Sequence, residues 1–258
     1  VTGGSGGIGA RNFMLLKNKG HETINLDWKK GDIQSDLSTP EGRQEAIDEL
    51  HALCPEGLDG LICCAGVSGA CGDLRRIVSL NFFGTISLIK GNYDLLLKKG
   101  GTCVVTTSNT ISQGNLRMDL ADLLNNNNDD EQRIMNLVGR LDQTSLSVGD
   151  SVYSAAKYAL ARWVRRHSAS YAANGVRINA VAPGNVNTAM TATMSTNAKM
   201  ALNALPIPTK YGKETLMDPE EVAQVIVFLS SPEARGINGV ILFVDGGTDA
   251  LLNTEKVY

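Results

Sequence analysis

The chain has 258 residues, of which 43% are hydrophobic and 20% are charged, a composition ordinary for a globular protein with a substantial core. Its net charge of -3 and the lack of a clustered basic patch argue against a dedicated nucleic-acid binder. Because no apolar run reaches membrane-spanning length and no signal peptide is evident, we expect a cytoplasmic protein with neither a membrane nor a nucleic-acid partner.

The five cysteines are odd in number, and no two of them have the spacing of a zinc site or a C-x-x-C motif. Three lie in apolar, strand-like runs, where cysteine packs as a small hydrophobe. We therefore predict reduced thiols, an intracellular compartment and no metal site. The five are Cys54, Cys63, Cys64, Cys71 and Cys103.

The chain opens on a glycine-rich stretch, residues 1–9, which reads VTGGSGGIG. Such glycines permit a tight turn and let the backbone approach a pyrophosphate at the start of a helix, here predicted over residues 8–19. A dinucleotide-binding turn follows a strand, so we expect most of a first strand to lie outside this numbering. Alone, the motif fits a flexible loop about equally well.

Residues 21–27 predict a second strand that ends in Asp27, about 20 residues after the glycines. An acidic residue at this position suits hydrogen bonds to the ribose hydroxyls of NAD and would repel the 2′-phosphate of NADP. Lys29 and Lys30 follow closely and leave NADP open. The plain alternative is that Asp27 only starts a turn.

Residues 31–36 predict a third strand that ends at Asp36. Either Ser38 or Thr39 then caps a helix that runs to about Leu53, with a proline and a glutamate in its first turn.

Residues 58–63 form a mostly apolar run, typical of a buried strand. The small residues Ala65 and Gly66 follow, which would let the adenosine end of a cofactor lie against the strand end. A long helix is predicted over residues 73–99, bent at its glycines. Asn81 lies inside that helix, so it is either exposed or a buried polar group with a function.

Residues 102–107 predict the next strand, and Ser108 stands at its carboxyl end, where ligands bind in parallel sheets. Ser108 is therefore a candidate for contact with a substrate. The alternatives are that it is a turn or cap serine, or that Ser112 has this role.

Residues 112–150 form a polar insertion whose centre, residues 125–131, is rich in asparagine and cannot build a core. Helical periodicity on either side predicts helices over residues 116–124 and 133–141. Such an insertion covers a site or makes a subunit contact, unless it is a disordered decoration.

Residues 151–171 predict a helix that carries Tyr153 and Lys157 one turn apart on one face. A cation at that distance favours the phenolate, so the tyrosine could exchange a proton near neutral pH. The plain alternative is a solvated helix edge.

Residues 176–182 predict a sixth strand, followed by Pro183 and Gly184. Val186 and Thr188 come next, where backbone groups and a hydroxyl could hold a carboxamide. Residues 189–217 would form a pliable substrate flap, helical over residues 191–205, with three methionines suited to an adaptable pocket wall. They are Met190, Met194 and Met200.

A helix over residues 218–229 and a strand over residues 240–244 complete the chain. Strands alternate with helices throughout without a linker, which predicts one α/β domain over residues 1–258. Its core would be a doubly wound parallel sheet of about seven strands with helices on both faces.

Together these motifs resemble the short-chain dehydrogenase/reductases, a family with a Rossmann-type fold. The resemblance is closest to the bacterial 3α-hydroxysteroid dehydrogenase/carbonyl reductase branch. The branch is indicated by residues 36–43, DLSTPEGR, by residues 58–61, LDGL, by the long insertion and by residues 245–250, DGGTDA. The family motifs are Thr2-Gly3-x-x-x-Gly7-Ile8-Gly9, Asp36-Leu37, Ala65-Gly66, Asn81, Ser108, Tyr153-x-x-x-Lys157, Pro183-Gly184 with Thr188, and Asp245-Gly246.

The resemblance implies that Tyr153 transfers the substrate proton, that Lys157 lowers its pKa and binds the nicotinamide ribose, and that Ser108 orients the substrate oxygen. Asn81 would hold a water in the proton relay. The implied cofactor-binding residues are Gly3, Ser5, Gly6, Gly7, Ile8, Asp27, Asp36, Leu37, Ala65, Gly66, Asn81, Tyr153, Lys157, Pro183, Gly184, Val186 and Thr188.

The implied activity is NAD-dependent interconversion of a secondary alcohol and a ketone, with a 3α-hydroxysteroid or bile-acid-like substrate. Two alternatives stay open, a reductase for a smaller carbonyl compound and a non-catalytic NAD sensor. The resemblance also implies a homodimer or homotetramer. Two features depart from it: Cys63-Cys64 replaces the usual Asn-Asn before Ala65-Gly66, and the insertion is rich in asparagine rather than alanine.

Overall fold

The computed structural model describes residues 1–114, 116–126, 130–192, 205–210 and 215–257. Six parallel strands form the sheet, and Thr2 joins its two parts by pairing with both Leu26 and Cys63. The resulting order is β2-β1-Thr2-β3-β4-β5-β6, which confirms the doubly wound parallel sheet. The strands are β1 (Leu26–Asp27), β2 (Ile33–Gln34), β3 (Gly60–Cys63), β4 (Thr102–Thr106), β5 (Arg177–Pro183) and β6 (Ile241–Val244).

Helices cover both faces of this sheet. Alternate residues of β4 point to opposite faces, so Cys103 and Val105 pack in one core cluster and Val104 in the other. In the described part of the chain, no helix is both long and apolar enough to cross a membrane. The helices are α1 (Gly7–Asn18), α2 (Pro40–Leu53), α3 (Leu74–Val78), α4 (Thr85–Gly91), α5 (Tyr93–Lys99), α6 (Met118–Asn126), α7 (Glu131–Val138), α8 (Leu146–Ala173), α9 (Ala189–Ala192), α10 (Pro219–Ser230) and α11 (Thr248–Leu252).

The predicted helix over residues 73–99 is divided. A turn of π-helix over Ser79–Gly84 separates α3 from α4, and Asn92 separates α4 from α5. Gly84 packs closely against the backbone of Leu37, because a Cβ on Gly84 would come within 2.8 Å of the Leu37 carbonyl oxygen. The bends therefore come from close tertiary contacts, with the buried Asn81 inside the π-turn.

Strands β1 and β2, which correspond to the predicted second and third strands, are shorter than predicted. Only Leu26–Asp27 and Ile33–Gln34 pair, although residues 21–27 and 31–36 both have strand-like sequences. Of the two possible caps of the next helix, Thr39 is the N-cap of α2, and its hydroxyl accepts from the Gly42 amide at 3.1 Å.

The insertion packs on the main body of the protein through both of its described helices. Leu120 and Leu124 of α6 are buried, and the Asn125 side chain donates to the Ala159 carbonyl of α8 at 2.9 Å. These contacts do not fit a disordered decoration. The centre of the asparagine run, residues 127–129, lies outside the described residues.

Arg43 of α2 ties α7 to the segment between β2 and α2. Its guanidinium binds both carboxylate oxygens of Glu131, at 2.5 and 2.8 Å, and donates to the Leu37 carbonyl at 2.9 Å. The Ser79 hydroxyl donates to the same Glu131 at 3.0 Å. The Arg43 side chain is 5% exposed, so loss of its partner would leave a buried cation without compensation.

We therefore predict that Glu131→Ala lowers the free energy of unfolding by about 3 kcal/mol, as measured by urea denaturation. Asp122→Ala is the matched control. It breaks an exposed ion pair between the same insertion and Arg162, and it should cost about 1 kcal/mol or less. Equal losses in the two variants would show that Arg43–Glu131 is an ordinary surface pair.

Candidate active site

The predicted Tyr153–Lys157 pair lies in the interior part of α8. Lys157 is 5% exposed, and its ammonium donates to the Thr106 carbonyl, at the carboxyl end of β4, at 2.9 Å. Tyr153 is half-buried, and the Lys157 nitrogen lies 5.9 Å from the centroid of its ring. The pair is therefore not a solvated helix edge, and it faces the sheet edge at which ligands bind.

Ser108 directly follows the predicted strand end, is 8% exposed and lies close enough to Tyr153 to lower the pKa of its phenol. Its hydroxyl oxygen also accepts from the Thr110 amide at 3.3 Å. The Ser112 hydroxyl instead donates to the Asn109 carbonyl at 3.1 Å, within its own turn. Of the two candidate serines, the structure places Ser108 with the tyrosine.

Three influences act on the Tyr153 phenol. Burial is the largest and raises the pKa of Tyr153, the hydrogen bond with Ser108 lowers it, and the nearby charge of Asp150 raises it again. The net pKa of Tyr153 is above its ordinary value, contrary to the expectation that Lys157 lowers it. The reason is that desolvation of the phenol outweighs the favourable contacts. Burial also lowers the pKa of Lys157 to about 8.

Asn81 holds the loop that follows β3. Its side-chain oxygen accepts from the Val67 amide at 3.0 Å, and its side-chain nitrogen donates to the Val67 carbonyl at 2.9 Å. A Cβ on Gly66 would lie 2.7 Å from that oxygen and 3.5 Å from the Lys157 nitrogen. The structure thus brings Asn81, Gly66 and Lys157 together around a space that only glycine leaves open.

The glycine-rich turn has the features of an anion site. Helix α1 begins after Gly6, with no side-chain cap and no acidic residue in its first turn, which leaves its first amides free for an anion. A Cβ on Gly3 would lie 2.9 Å from the Ala65 nitrogen, and one on Gly9 would lie 2.2 Å from the Gly3 oxygen. The residues present therefore fit the pyrophosphate of a dinucleotide.

Asp27 lies beside this turn, as predicted for a ribose ligand. One of its carboxylate oxygens accepts from the Ser5 amide at 3.2 Å and the other from the Lys29 amide at 3.0 Å. Each oxygen keeps a further acceptor site that a ribose hydroxyl can use.

The segment after β5 approaches the same turn from the other side. A Cβ on Gly7 would lie 3.0 Å from the Thr188 methyl carbon, and one on Gly184 would lie 2.8 Å from the Asp245 Cβ. Val186 is buried and pairs with Met217. The segment after β5 and the glycine-rich turn, the two predicted sides of the cofactor site, therefore lie together.

Near the predicted adenine end, sequence reasoning missed an aromatic and cationic pair. The Arg76 guanidinium binds Asp36 at 3.1 Å and lies 5.4 Å from the ring centroid of Trp28, which is 55% exposed. Burial alone would raise the pKa of Asp36, but hydrogen bonds from Ser38 and the charge of Arg76 hold it below its ordinary value. The sequence feature that could have indicated this pair is Trp28, an aromatic residue directly after Asp27.

The substrate side is described in part. Met190 on α9 is 39% exposed. Met194, Met200 and most of the predicted helix over residues 191–205 lie outside the described residues.

A dinucleotide-fitting turn and a proton-transfer pair on one sheet edge define a nicotinamide-dependent oxidoreductase. A family model described as "Enoyl-(Acyl carrier protein) reductase" matches residues 116–249. The chain is similar to a 3-alpha-hydroxysteroid dehydrogenase/carbonyl reductase from Comamonas testosteroni, 30% identical over 259 residues, with 99% of this chain and 98% of the relative covered. The chain belongs to the short-chain dehydrogenase/reductase family and is an enzyme of that kind.

Two further comparisons agree with this assignment. The fold superposes on the 3-alpha-hydroxysteroid dehydrogenase from Pseudomonas sp. B-0831, solved in complex with NADH, with a TM-score of 0.89 and 33% identity over 99% of this chain and 98% of the other. A cis-4-hydroxycyclohexanecarboxylate dehydrogenase from Sinomonas cyclohexanicum is 28% identical over 276 residues, covering 97% of this chain and 96% of the relative.

The charge of Asp150 should show in the pH dependence of alcohol oxidation. With Tyr153 as the predicted proton acceptor, kcat/KM for oxidation should rise with pH through the pKa of Tyr153. Asp150→Asn removes a charge that raises this pKa, so the rising limb should move to lower pH. Asp142→Asn, in the exposed loop before α8, is the control and should leave the profile in place. A shift of the Asp150→Asn profile to higher pH would contradict the assigned interaction.

Proposed function

We propose that this enzyme interconverts a 3α-hydroxysteroid, or a similar bile-acid-like alcohol, with its ketone, using NAD(H). The observation that carries the catalytic part is that Ser108 and Tyr153 lie together beside the buried Lys157, whose ammonium donates to the Thr106 carbonyl at 2.9 Å. The substrate class is supported by the two hydroxysteroid dehydrogenases that match almost the whole chain.

When bound, the nicotinamide supplies or accepts the hydride. The protein then has to manage one proton at the substrate oxygen, which would otherwise carry an alkoxide charge. In reduction, Tyr153 donates that proton and Ser108 hydrogen-bonds the same oxygen, which favours the transition state over the ground state. In oxidation, the tyrosinate accepts the proton from the alcohol.

Lys157 and Asn81 support this proton transfer without contacting the substrate oxygen. The ammonium of Lys157 is held at the Thr106 carbonyl and is directed into the cleft beside Gly66, where a nicotinamide ribose would lie. Asn81 fixes the backbone at Val67, next to the same space, and is the residue that we propose positions a relay water.

Asp27 favours NAD over NADP. Its carboxylate is already bound to the Ser5 amide of the glycine-rich turn, so it lies where the 2′-hydroxyl of the adenosine ribose would come. A 2′-phosphate at this position would be repelled by the Asp27 carboxylate. A nearby cation that could offset this repulsion is Lys29, two residues further along the chain.

A smaller cyclic alcohol is the second candidate substrate. The similarity to the cis-4-hydroxycyclohexanecarboxylate dehydrogenase, over nearly the full length of both chains, favours it specifically. A non-catalytic NAD sensor is not favoured, because the catalytic tyrosine, lysine and serine are all present and converge. We also propose a homodimer or homotetramer, in which α6 covers part of the face of α8.

We expect the wild-type enzyme to form NADH from NAD with one or more of a panel of 3α-hydroxysteroids, followed by absorbance. Tyr153→Phe should lower kcat by about 10²–10⁴-fold while NADH binding, followed by fluorescence, survives. Tyr158→Phe removes the same hydroxyl from a half-buried residue of α8 and should leave turnover unchanged.

The outcomes of this assay separate the candidates. Turnover of hydroxycyclohexane carboxylates but of no steroid would favour the smaller substrate. Tight NAD binding without turnover of any alcohol or ketone would favour the sensor. Loss of NADH binding in Tyr153→Phe, with turnover per bound complex retained, would overturn the role of Tyr153.

Cofactor preference should depend on Asp27. Hydrogen bonds to a charged group contribute about 1.5–3 kcal/mol, so Asp27→Ser should lower kcat/KM for NAD by about tenfold or more while kcat/KM for NADP rises. Asp32→Ser, which removes a carboxylate from the nearby loop, is the matched control. A ratio of the two kcat/KM values that is the same in Asp27→Ser as in the wild type would show that another group selects the cofactor.

A further inference from the structure

The turn after β6 carries a buried carboxylate that the proposed chemistry does not use. Asp245 is 4% exposed. One of its oxygens accepts from the Gly247 amide at 3.0 Å, and the other accepts from the Asp249 amide at 2.8 Å and from the Asn109 side chain at 3.3 Å. Because a buried carboxylate is stable only when it is well hydrogen-bonded, these three donors hold it in one orientation.

Its side-chain partner, Asn109, is the residue directly after Ser108. Asn109 is also 4% exposed, and it begins the short 3₁₀ turn Asn109–Ser112 that Ser108 caps. The hydrogen bond from Asn109 to Asp245 is long, at 3.3 Å, but little water competes for either buried group. The direction of the Asn109 side chain therefore constrains the peptide that it shares with Ser108.

We propose that Asp245, acting through Asn109, is a positioning residue that holds the Ser108 hydroxyl against Tyr153. This inference rests on the proposed function, in which Ser108 contacts the substrate oxygen. It assigns a role to Asn109, which directly follows Ser108 and is not part of any of the sequence motifs.

Two further contacts make Asp245 a rigid support. The backbone approaches it so closely at Gly184 that a Cβ there would lie 2.8 Å from its own Cβ. The far end of the same 3₁₀ turn is held separately, because the Asn253 side chain donates to the Ser112 carbonyl at 3.2 Å and to Asp249 at 3.0 Å. The turn is thus fixed at both ends, and of these two contacts the one to Asp245 lies next to Ser108.

The test is a double-mutant cycle of Asn109→Ala and Ser108→Ala, with NAD and the alcohol of highest turnover in the steroid panel. Asn109→Ala should lower kcat by about tenfold to a hundredfold, the range expected for a misplaced catalytic group, and change KM for NAD less than twofold. In the Ser108→Ala background the same substitution should cost no further activity. Asn174→Ala, at the far end of α8, is the matched control and should behave as wild type.

Each other outcome overturns the proposal in a distinguishable way. If Ser108→Ala lowers kcat but Asn109→Ala does not, or if the two losses multiply in the double variant, Asn109 does not act through Ser108 and the proposed function stands. If Ser108→Ala retains full turnover, the assigned site itself is wrong and the positioning role fails with it.

A like-charge variant guards against simple misfolding. Asn109→Asp sets a carboxylate against Asp245 and should lower kcat more than Asn109→Ala does. A kcat no lower than that of Asn109→Ala, at the same thermal midpoint, would contradict the pairing.

Discussion

The site depends on one hydrogen bond, from the Lys157 ammonium to the Thr106 carbonyl at the end of β4. It joins the longest described helix to the carboxyl edge of the sheet and, together with the buried apolar face of that helix, fixes which side chains face the sheet. In this orientation, Tyr153 faces Ser108 rather than solvent. The interaction is maintained against a cost, since burial lowers the pKa of Lys157 to about 8.

The electrostatics of the site favour a neutral phenol. Burial and Asp150 both raise the pKa of Tyr153, and only the hydrogen bond with Ser108 acts in the opposite direction. The placement of Ser108 therefore bears on proton transfer as well as on substrate orientation. This explains why a polar chain from Asp245 through Asn109 to the catalytic strand end would matter for the reaction.

The main features of the fold could be predicted because they follow from patterns of neighbouring residues along the chain. Apolar runs at regular spacing gave the strands, and the i, i+4 spacing placed Tyr153 and Lys157 on one face. The π-turn around Asn81 and the very short strands β1 and β2 were not predictable, because close contacts such as Gly84 against Leu37 decide them. The stacking of Arg76 on Trp28 joins residues far apart in the chain and leaves no periodic signal.

By itself, the sequence determined the class of fold and predicted the nucleotide-binding turn and the catalytic residue types, since each follows from spacing along the chain. Only the tertiary structure decided that Ser108 and not Ser112 meets Tyr153, that the net pKa of Tyr153 lies above its ordinary value, and that Glu131 anchors the insertion through Arg43. The physical reason is that desolvation and hydrogen-bond direction depend on which segments pack together, and one-dimensional spacing carries no information about either.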